Sequence, residues 1–413
     1  MSVRALASMS EYRRLFSSRL ISNIGNGVAP IAVAFGVLAL PDGSPTGLSI
    51  VLTAQAIPAV LVLPIGGVIA DRVGRPLMIG ICDILMAVVV GAIGLTFLTG
   101  TATVPLLAGL NVLAGILVGL WYPAYPGLAP DVVPDEHLQT ANAYMSVAGN
   151  GGFIVGTAIG GILVAAIGSG WAILIDAVSF LVAGALVFSL RRFARPHDSG
   201  ESPIRDLVDG WKVFISYRWI VAVVVAFSFI VMVMRGAEEV LGPVLANEVY
   251  GGPTGWSAVL GAMAVGLLLG ALLASRLRVE RPIAVGMIVC FALPVWLLTL
   301  ALQAPLPVIM CTGFLWGMAI EILQVFWFTA LQRNVPPESL SRVSSYDAFG
   351  SLIFGPIGLA LAGPLLAFIP ISEAFFIAAL VAAVAIAASL LVPSVWRLRS
   401  TDGLPDMPPV TAD

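Results

Sequence analysis

The chain has 413 residues, of which 59% are hydrophobic and only 10% are charged. Soluble domains average about 25% charged residues, so this composition excludes a soluble protein and predicts that lipid covers most of the apolar surface. The net charge is −3, and because the chain has no basic tract and no zinc-ligand spacing, we expect no nucleic-acid partner and no metal or other cofactor. The three cysteines lie inside apolar stretches, which predicts no disulfide framework.

A membrane-spanning helix needs about 20 mostly apolar residues. Twelve such stretches follow one another, and they are too long for strands, whereas helices satisfy their own backbone hydrogen bonds in lipid. The charged N-terminus lacks an A-x-A-type cleavage site, which predicts a retained first helix rather than a signal peptide. The predicted spans are 16–40, 46–69, 77–99, 105–130, 140–167, 171–191, 219–241, 255–275, 282–303, 307–331, 342–367 and 372–394.

The basic residues lie almost entirely on one side of these spans. Nineteen of the 20 lysines and arginines fall in alternate connections or at the span ends beside them, and Arg235, inside the seventh span, is the exception. Cytoplasmic connections carry the excess of Lys and Arg. The distribution therefore predicts a multi-pass protein of the cell (plasma or inner) membrane with both termini in the cytoplasm.

The longest connection, 192–218, divides the spans six and six. Within it, 204–214 alternates polar and apolar residues like a helix lying in the lipid headgroup region. The sequence thus predicts an N-terminal six-helix bundle over 1–191, a cytoplasmic linker over 192–218, a C-terminal six-helix bundle over 219–395 and a disordered cytoplasmic tail over 396–413.

The two halves repeat each other with a constant offset of 202 residues. Val133-Pro134 recurs as Val335-Pro336, and the same offset relates three further pairs: Tyr144 with Tyr346, Gly156 with Gly358, and Gly161 with Gly363. Since six spans return the chain to its starting side, the halves run through the membrane in the same direction. The pattern predicts two parallel repeats with a site near the membrane midplane between them.

The short connection between the second and third spans carries five residues of one motif, Gly67, Asp71, Arg72, Gly74 and Arg75. The motif resembles G-x-x-x-D-R-x-G-R-[RK], which is found between helices 2 and 3 in the major facilitator superfamily of secondary transporters, with Pro76 in place of the last basic residue. The resemblance implies an all-α membrane protein with the twelve-helix fold of that family.

It also implies a cytoplasmic latch. In that interpretation Asp71 accepts hydrogen bonds from the N-terminus of the eleventh helix near Arg342, where the helix dipole favours an anion, and only while the cytoplasmic side is closed. The alternative is that the arginines of this loop only set the orientation of the protein in the membrane and that its glycine only allows the turn.

The fifth span contains the small residues Gly152, Gly156, Gly160 and Gly161. Small residues four apart let two helix backbones approach closely. The stretch resembles the antiporter signature G-x-x-x-G-P-x-x-G-G of drug exporters in the superfamily, with Thr157 where proline is usual. Ordinary helix packing is the alternative interpretation of this motif.

The fourth span lacks the arginine that many proton-coupled drug exporters carry in an R-x-x-x-G pattern, since Asn111 precedes Gly115. In this respect the chain resembles the subgroup that contains the macrolide and enterobactin exporters. Two further runs fit the same subgroup, Pro130-Asp131-Val132-Val133-Pro134 and Leu331-Gln332-Arg333-Asn334. The resemblance covers residues 10–395.

Ionisable residues inside membrane spans are costly, and they therefore mark functional sites. Glu321 near the middle of the tenth span is the first candidate for proton coupling or substrate binding, and Asp347 in the eleventh is the second. Arg235 and Glu239 form an i,i+4 pair that could neutralise itself. Asn26 in the first span, and Tyr122 and Tyr125 beside the prolines of the fourth, are candidates for lining a cavity.

We therefore expect a secondary active transporter that works by alternating access. It would export amphipathic small molecules of the drug or siderophore type in exchange for protons and act as a monomer. ATP-driven transport is not expected, because a phosphate-binding loop needs a lysine in a glycine-rich segment and the single lysine, Lys212, lies in no such segment. Enzymatic activity is not expected, because the sequence contains neither the metalloprotease pattern H-E-x-x-H nor the nucleophile pattern G-x-S-x-G. Uptake or facilitated transport of a metabolite, and a transport-inactive receptor or scaffold on the same fold, stay open as alternatives.

Overall fold

The computed structural model describes residues 3–125, 128–134, 137–193 and 211–399, and it describes the backbone alone at 3–5, 68, 71, 139, 143, 337–342 and 345. All regular structure in these ranges is helical. The long helices are α1 (Ser10–Leu38), α2 (Pro45–Val73), α3 (Arg75–Leu98), α4 (Val104–Ala124), α5 and α6 (together Leu138–Phe188), α7 (Arg218–Gly236 and Gly242–Val249), α8 (Pro253–Arg276), α9 (Pro282–Val289 and Ala292–Ala301), α10 (Leu306–Asn334), α11 (Pro337–Leu352 and Gly355–Leu365) and α12 (Ile371–Leu390).

Eleven stretches of the described residues are long and apolar enough to cross a membrane, and one of them, Thr140–Phe188, is 49 residues long. That stretch is interrupted at Gly168, where φ is 82° and ψ is 162°. A positive φ is costly for residues with a side chain and is readily adopted by glycine. The interruption separates α5 from α6, so the predicted all-α fold with twelve spanning helices is confirmed.

Prolines explain where the later helices depart from regular α-helical geometry. Proline has no N–H to donate to the carbonyl four residues earlier. α9 is interrupted just before Pro294, and α11 just before Pro356. In α7 the interruption is a π-helical segment, Ala237–Leu241, which precedes Pro243. Such segments are frequent at functional sites.

The chain forms two compact units. The first comprises residues 1–199 together with 238–261 and 359–368, and the second comprises 200–237, 262–358 and 369–413. The first unit therefore contains α1 to α6, the last part of α7, the start of α8 and the end of α11. The division at 192–218 into two six-helix bundles stays a prediction from the sequence repeat; residues 194–210 of that linker and 400–413 of the tail lie outside the described residues.

Candidate functional site

The loop between α2 and α3 turns at Gly74. This residue has φ 93°, and its N–H donates to Ala70 O at 2.9 Å, which ends α2 immediately before α3 begins. Arg72 is exposed, and Gly67 lies within α2 one turn before Asp71. The side chain of Asp71 lies outside the described residues, so the latch stays a prediction.

Arg75 of this loop forms an ion pair that was not predicted. Its Nη1 lies 3.7 Å from Asp131 Oδ1, and both side chains are partly buried. Asp131 belongs to a short helix, Leu128–Val132, that follows α4. The motif therefore connects the start of α3 to the end of α4.

The glycines of α5 pack against the backbone of α1. A methyl group built on Gly152 would lie 2.8 Å from Leu20 O, one on Gly156 would overlap Ile24 O, and one on Gly160 would lie 3.2 Å from the Val28 Cα. Their contacts on α1 are therefore also four residues apart, so the two helices approach each other along one continuous seam.

Gly161 packs against α8 rather than α1. A methyl group there would overlap Pro253 O and Ser257 Oγ at the start of α8. Its repeat partner Gly363, in α11, has the corresponding relationship to the start of α2. A methyl group on Gly363 would overlap Pro45 O, and the Gly363 N–H donates to Ser49 Oγ at 2.8 Å.

We call these two contacts the twin seals. All of their residues belong to the first unit, and by chain order they lie on the side of the connection between α1 and α2. A sequence pattern marks the two serine-containing ends of these contacts, although the offset of 202 residues does not align them. Both helices begin with the pattern P-T-G-x-S, as Pro45-Thr46-Gly47-Leu48-Ser49 and Pro253-Thr254-Gly255-Trp256-Ser257.

The two leading carboxylates belong to the second unit and have different surroundings. Asp347 Oδ2 accepts a 2.8 Å hydrogen bond from Trp327 Nε1, and Oδ1 accepts one of 3.4 Å from Ser351 Oγ. Trp327 is itself held by an edge contact with Trp219, with ring centroids 5.3 Å apart. Trp327 lies on α10, the helix that also carries Glu321, but its indole N–H donates to Asp347 of α11.

Glu321 lies on α10 and is half-buried. It faces α8 at Gly270, where a methyl group would lie 3.0 Å from the Glu321 Cβ. Among the described residues no hydrogen bond or ion pair engages its carboxyl group. Of the two acids, only Asp347 has hydrogen-bond donors that stabilise its charged form, whereas Glu321 has none among the described residues.

The charged residues of α7 lie on both sides of the change in helix geometry. Arg235 is exposed and lies in the last turn before the π-helical segment, and Glu239 lies within that segment. Their predicted mutual neutralisation stays a prediction.

The aromatic residues of α4 have different environments. Tyr122 is 55% exposed, whereas the Tyr125 ring stacks on Trp121 with centroids 5.0 Å apart and an interplanar angle of 13°. The guanidinium of Arg19, from α1, lies 4.3 Å from the Tyr125 ring centroid. Asn26 is partly buried on the same helix.

This cluster was missed by sequence reasoning, which counted Arg19 only as a basic residue at a membrane boundary. The chain lacks the arginine usual in the fourth span, and the structure brings an arginine from α1 to α4 instead. Asp83 of α3, which is 5% exposed, interacts with both Arg19 and Trp121. The position of Asp83 inside an apolar span was its only sequence signal.

An all-helical chain with many membrane-spanning helices, glycine seams between them and carboxylates inside them is a multi-pass membrane protein. The model of the Major Facilitator Superfamily matches residues 15–353. The chain therefore belongs to the major facilitator superfamily.

Two relatives illustrate the similarity in sequence. The multidrug efflux pump Tap of Mycolicibacterium fortuitum is 28% identical over 366 residues, which are 84% of this chain and 87% of Tap. The enterobactin exporter EntS of Citrobacter koseri is 26% identical over 422 residues, which are 97% of this chain and 96% of EntS. Both are efflux proteins of the subgroup that the sequence resembles.

Solved structures agree on the fold. A bacterial homologue of the iron transporter ferroportin, in an inward-facing state, has a TM-score of 0.71 at 16% identity and covers 96% of this chain and 99% of its own. The nucleoside transporter NupG has a TM-score of 0.70 at 12% identity, with 93% and 99% covered. At these identities the likeness shows the fold alone.

Proposed function

We propose that this protein is a secondary active exporter of amphipathic small molecules of the drug or siderophore type, driven by proton antiport. The similarity to Tap and EntS along most of all three chains supports export. The one-sided distribution of basic residues supports cytoplasmic termini and a cytoplasmic 192–218 connection in the cell membrane. The protein works as a monomer and uses no ATP.

Proton coupling is assigned to Glu321, and one observation carries this assignment. Its half-buried carboxyl group has no hydrogen-bond or ion-pair partner among the described residues, while Asp347 accepts two hydrogen bonds. Donors that point at a carboxylate stabilise its charged form, whereas desolvation favours the neutral form. A group that must gain and lose a proton in each cycle therefore fits Glu321 better than Asp347.

In the proposed cycle a substrate entering from the cytoplasm displaces the proton from Glu321, and the outward-open state reloads it. The twin seals must separate before the side of the α1–α2 connection can open. The Asp71 loop closes the cytoplasmic side while they are apart. The π-helical segment of α7 and the interruption in α11 are the places where these helices can bend without losing regular hydrogen bonds.

The test is transport of ethidium, a cationic amphiphile, in proteoliposomes with an imposed pH gradient. We expect Glu321→Gln to abolish gradient-driven accumulation while exchange down an ethidium gradient persists. Asp347→Asn should retain accumulation at a reduced rate. Glu373→Gln is the matched control, because Glu373 is an exposed acid in the first turn of α12. Accumulation by Glu321→Gln with the wild-type pH dependence would show that Glu321 is a structural acid.

A further inference from the structure

A cation, two aromatic rings and an acid from three helices meet inside the first unit. The Arg19 guanidinium lies 4.3 Å from the Tyr125 ring centroid and 5.7 Å from that of Trp121. A guanidinium over the face of an aromatic ring is attracted by the ring quadrupole. The two rings are themselves stacked, so they form a rigid floor that fixes where the guanidinium lies. We call Arg19, Trp121, Tyr125 and Asp83 the arginine cluster.

Two buried donors of this cluster lack a well-aligned hydrogen bond. Neither Arg19 Nε nor Trp121 Nε1 makes one of good geometry among the described residues, although the Trp121 indole lies beside the Asp83 carboxyl group. Asp83 is near enough to attract Arg19 electrostatically, but no described carboxylate oxygen lies within 4 Å of a guanidinium nitrogen of Arg19. Buried polar groups are nearly always hydrogen-bonded, and an unpaired one is costly. Two neighbouring donors without a well-aligned partner indicate that a further acceptor can bond to both of them.

Glycines of the neighbouring helices pack closely against this cluster. A methyl group built on Gly149 of α5 would lie 3.1 Å from Arg19 Nε, and one on Gly184 of α6 would lie 3.0 Å from the Asp83 Cβ. Larger residues at these positions would press on the arginine and on the acid. Arg19 is partly exposed, so the cluster has an accessible edge, and the exposed Tyr122 lies on the same helix as its aromatic floor.

We infer that the arginine cluster binds the acidic group of a planar, aromatic molecule, with Arg19 and Trp121 donating to that group and Asp83 balancing the charge of Arg19 when the site is empty. The inference rests on the proposed function, and it adds a second class of molecule to the cationic amphiphiles that a carboxylate such as Glu321 would accept: aromatic acids. Guanidinium groups bind carboxylates with paired, charge-assisted hydrogen bonds. The stacked rings add an apolar surface on which an aromatic body can lie.

The alternative is that Arg19 and Asp83 are only an internal ion pair that stabilises the bundle. The two roles predict opposite behaviour for the two charged residues. In a purely structural pair, loss of either partner leaves an unpaired buried charge and harms the protein in the same way. In a binding site for an acid, loss of Arg19 removes the attraction, whereas loss of the Asp83 charge removes a competitor.

The experiment measures equilibrium binding of 2-naphthoate to the purified full-length protein in detergent, with 2-naphthamide as the uncharged counterpart. Wild type should bind the acid about tenfold or more tightly than the amide, because charge-assisted hydrogen bonds are worth more than neutral ones. Arg19→Gln should reduce acid binding to the level of the amide. Asp83→Asn should tighten acid binding about threefold or more. Arg14→Gln is the matched control, because Arg14 is an exposed arginine of α1 bonded to Ser189 Oγ.

Equal binding of acid and amide to wild type, or weaker acid binding by Asp83→Asn, would overturn the inference. Should Arg19→Gln fail to fold, Trp121→Phe decides instead, because it keeps the aromatic floor and removes one donor. We expect it to weaken acid binding and to leave amide binding unchanged, and an unchanged acid affinity would count against the site. If the wild type accumulates ethidium but does not distinguish acid from amide, only this inference fails. If it distinguishes them but accumulates neither ethidium nor 2-naphthoate in proteoliposomes with a pH gradient, the proposed function fails instead.

Discussion

The backbone N–H of Gly363 in α11 donates a 2.8 Å hydrogen bond to Ser49 Oγ in α2. Gly161 and Ser257 repeat the close packing, though not the hydrogen bond, between α5 and α8: Ser257 Oγ occupies the space that a side chain at position 161 would need. Ser49 Oγ can approach the α11 backbone this closely only because position 363 has no side chain in the way. Both contacts therefore depend on glycine, and both must break if the helix ends are to separate.

We predict that Gly363→Ala and Gly161→Ala weaken the twin seals. In each case the new methyl group would overlap a backbone carbonyl oxygen, which cannot move aside as a flexible side chain does. Overpacking of this kind costs typically about 1–3 kcal/mol, enough to change a two-state equilibrium by about fivefold or more. The measurement is labelling of Ser257→Cys, which is 3% exposed, in a background without the three native cysteines.

Labelling by an impermeant thiol reagent should become several-fold faster when Gly363→Ala is added, although residue 363 belongs to the other seal. Gly109→Ala and Gly151→Ala are the controls, because a methyl group at either position meets nothing within 4 Å. Equal labelling rates in all four proteins would show that the two seals open independently or that neither gates the protein.

A second prediction concerns the Trp327–Asp347 hydrogen bond. Trp327→Phe keeps most of the buried ring and removes the donor, so a partly buried carboxylate loses its 2.8 Å partner. Hydrogen bonds to charged groups contribute about 1.5–3 kcal/mol. We expect lower thermal stability in detergent and slower transport, with coupling to the pH gradient retained.

Trp219→Phe is the informative comparison. It alters the edge contact with Trp327 but leaves the hydrogen bond to Asp347 intact, so its loss of stability should be smaller. A loss of coupling in Trp327→Phe, with Glu321 unchanged, would move the coupling role to Asp347.

The spans, their number and the glycine positions could be predicted from the sequence because apolar length and four-residue spacing are local patterns. The internal repeat added the pairing of Gly161 with Gly363, but not the contacts these residues make. Those contacts join α5 to α8 and α11 to α2, and only the recurring P-T-G-x-S pattern at residues 45 and 253 indicates them. Contacts between distant segments leave such a signal only when both copies of a repeat preserve it.

The arginine cluster shows why the candidate site was harder to predict. Arg19 is close to a predicted membrane boundary, where arginines are usual, so nothing in its local sequence sets it apart. Its role emerges only when α1 is placed beside α4, because the aromatic floor comes from Trp121 and Tyr125. The Trp327–Asp347 hydrogen bond was missed for the same reason. Trp327 lies on α10 and Asp347 on α11, and only the tertiary fold brings the indole N–H to the carboxylate.

A third prediction separates the latch from the ion pair in the α2–α3 loop. Asp71→Asn should reduce transport several-fold at unchanged membrane levels, because a carboxylate at a helix N-terminus contributes about 0.3–1 kcal/mol and up to about 2 when partly buried. Asp131→Asn should instead lower stability, since it breaks the contact with Arg75. Asp42→Asn, an exposed acid on the other side, is the control. Normal transport by Asp71→Asn would leave the loop with a role in topology only.

The last prediction concerns orientation, on which the direction of export depends. In a cysteine-free background, Ser216→Cys lies in the connection before α7 and Asn247→Cys lies at the end of α7, and both positions are exposed. The basic residues predict that position 216 is cytoplasmic and position 247 is external. An impermeant thiol reagent applied to intact cells should therefore label only position 247, and permeabilised cells should label both. Labelling of position 216 alone in intact cells would invert the topology, and the proposed antiporter would then have to load its substrate from outside.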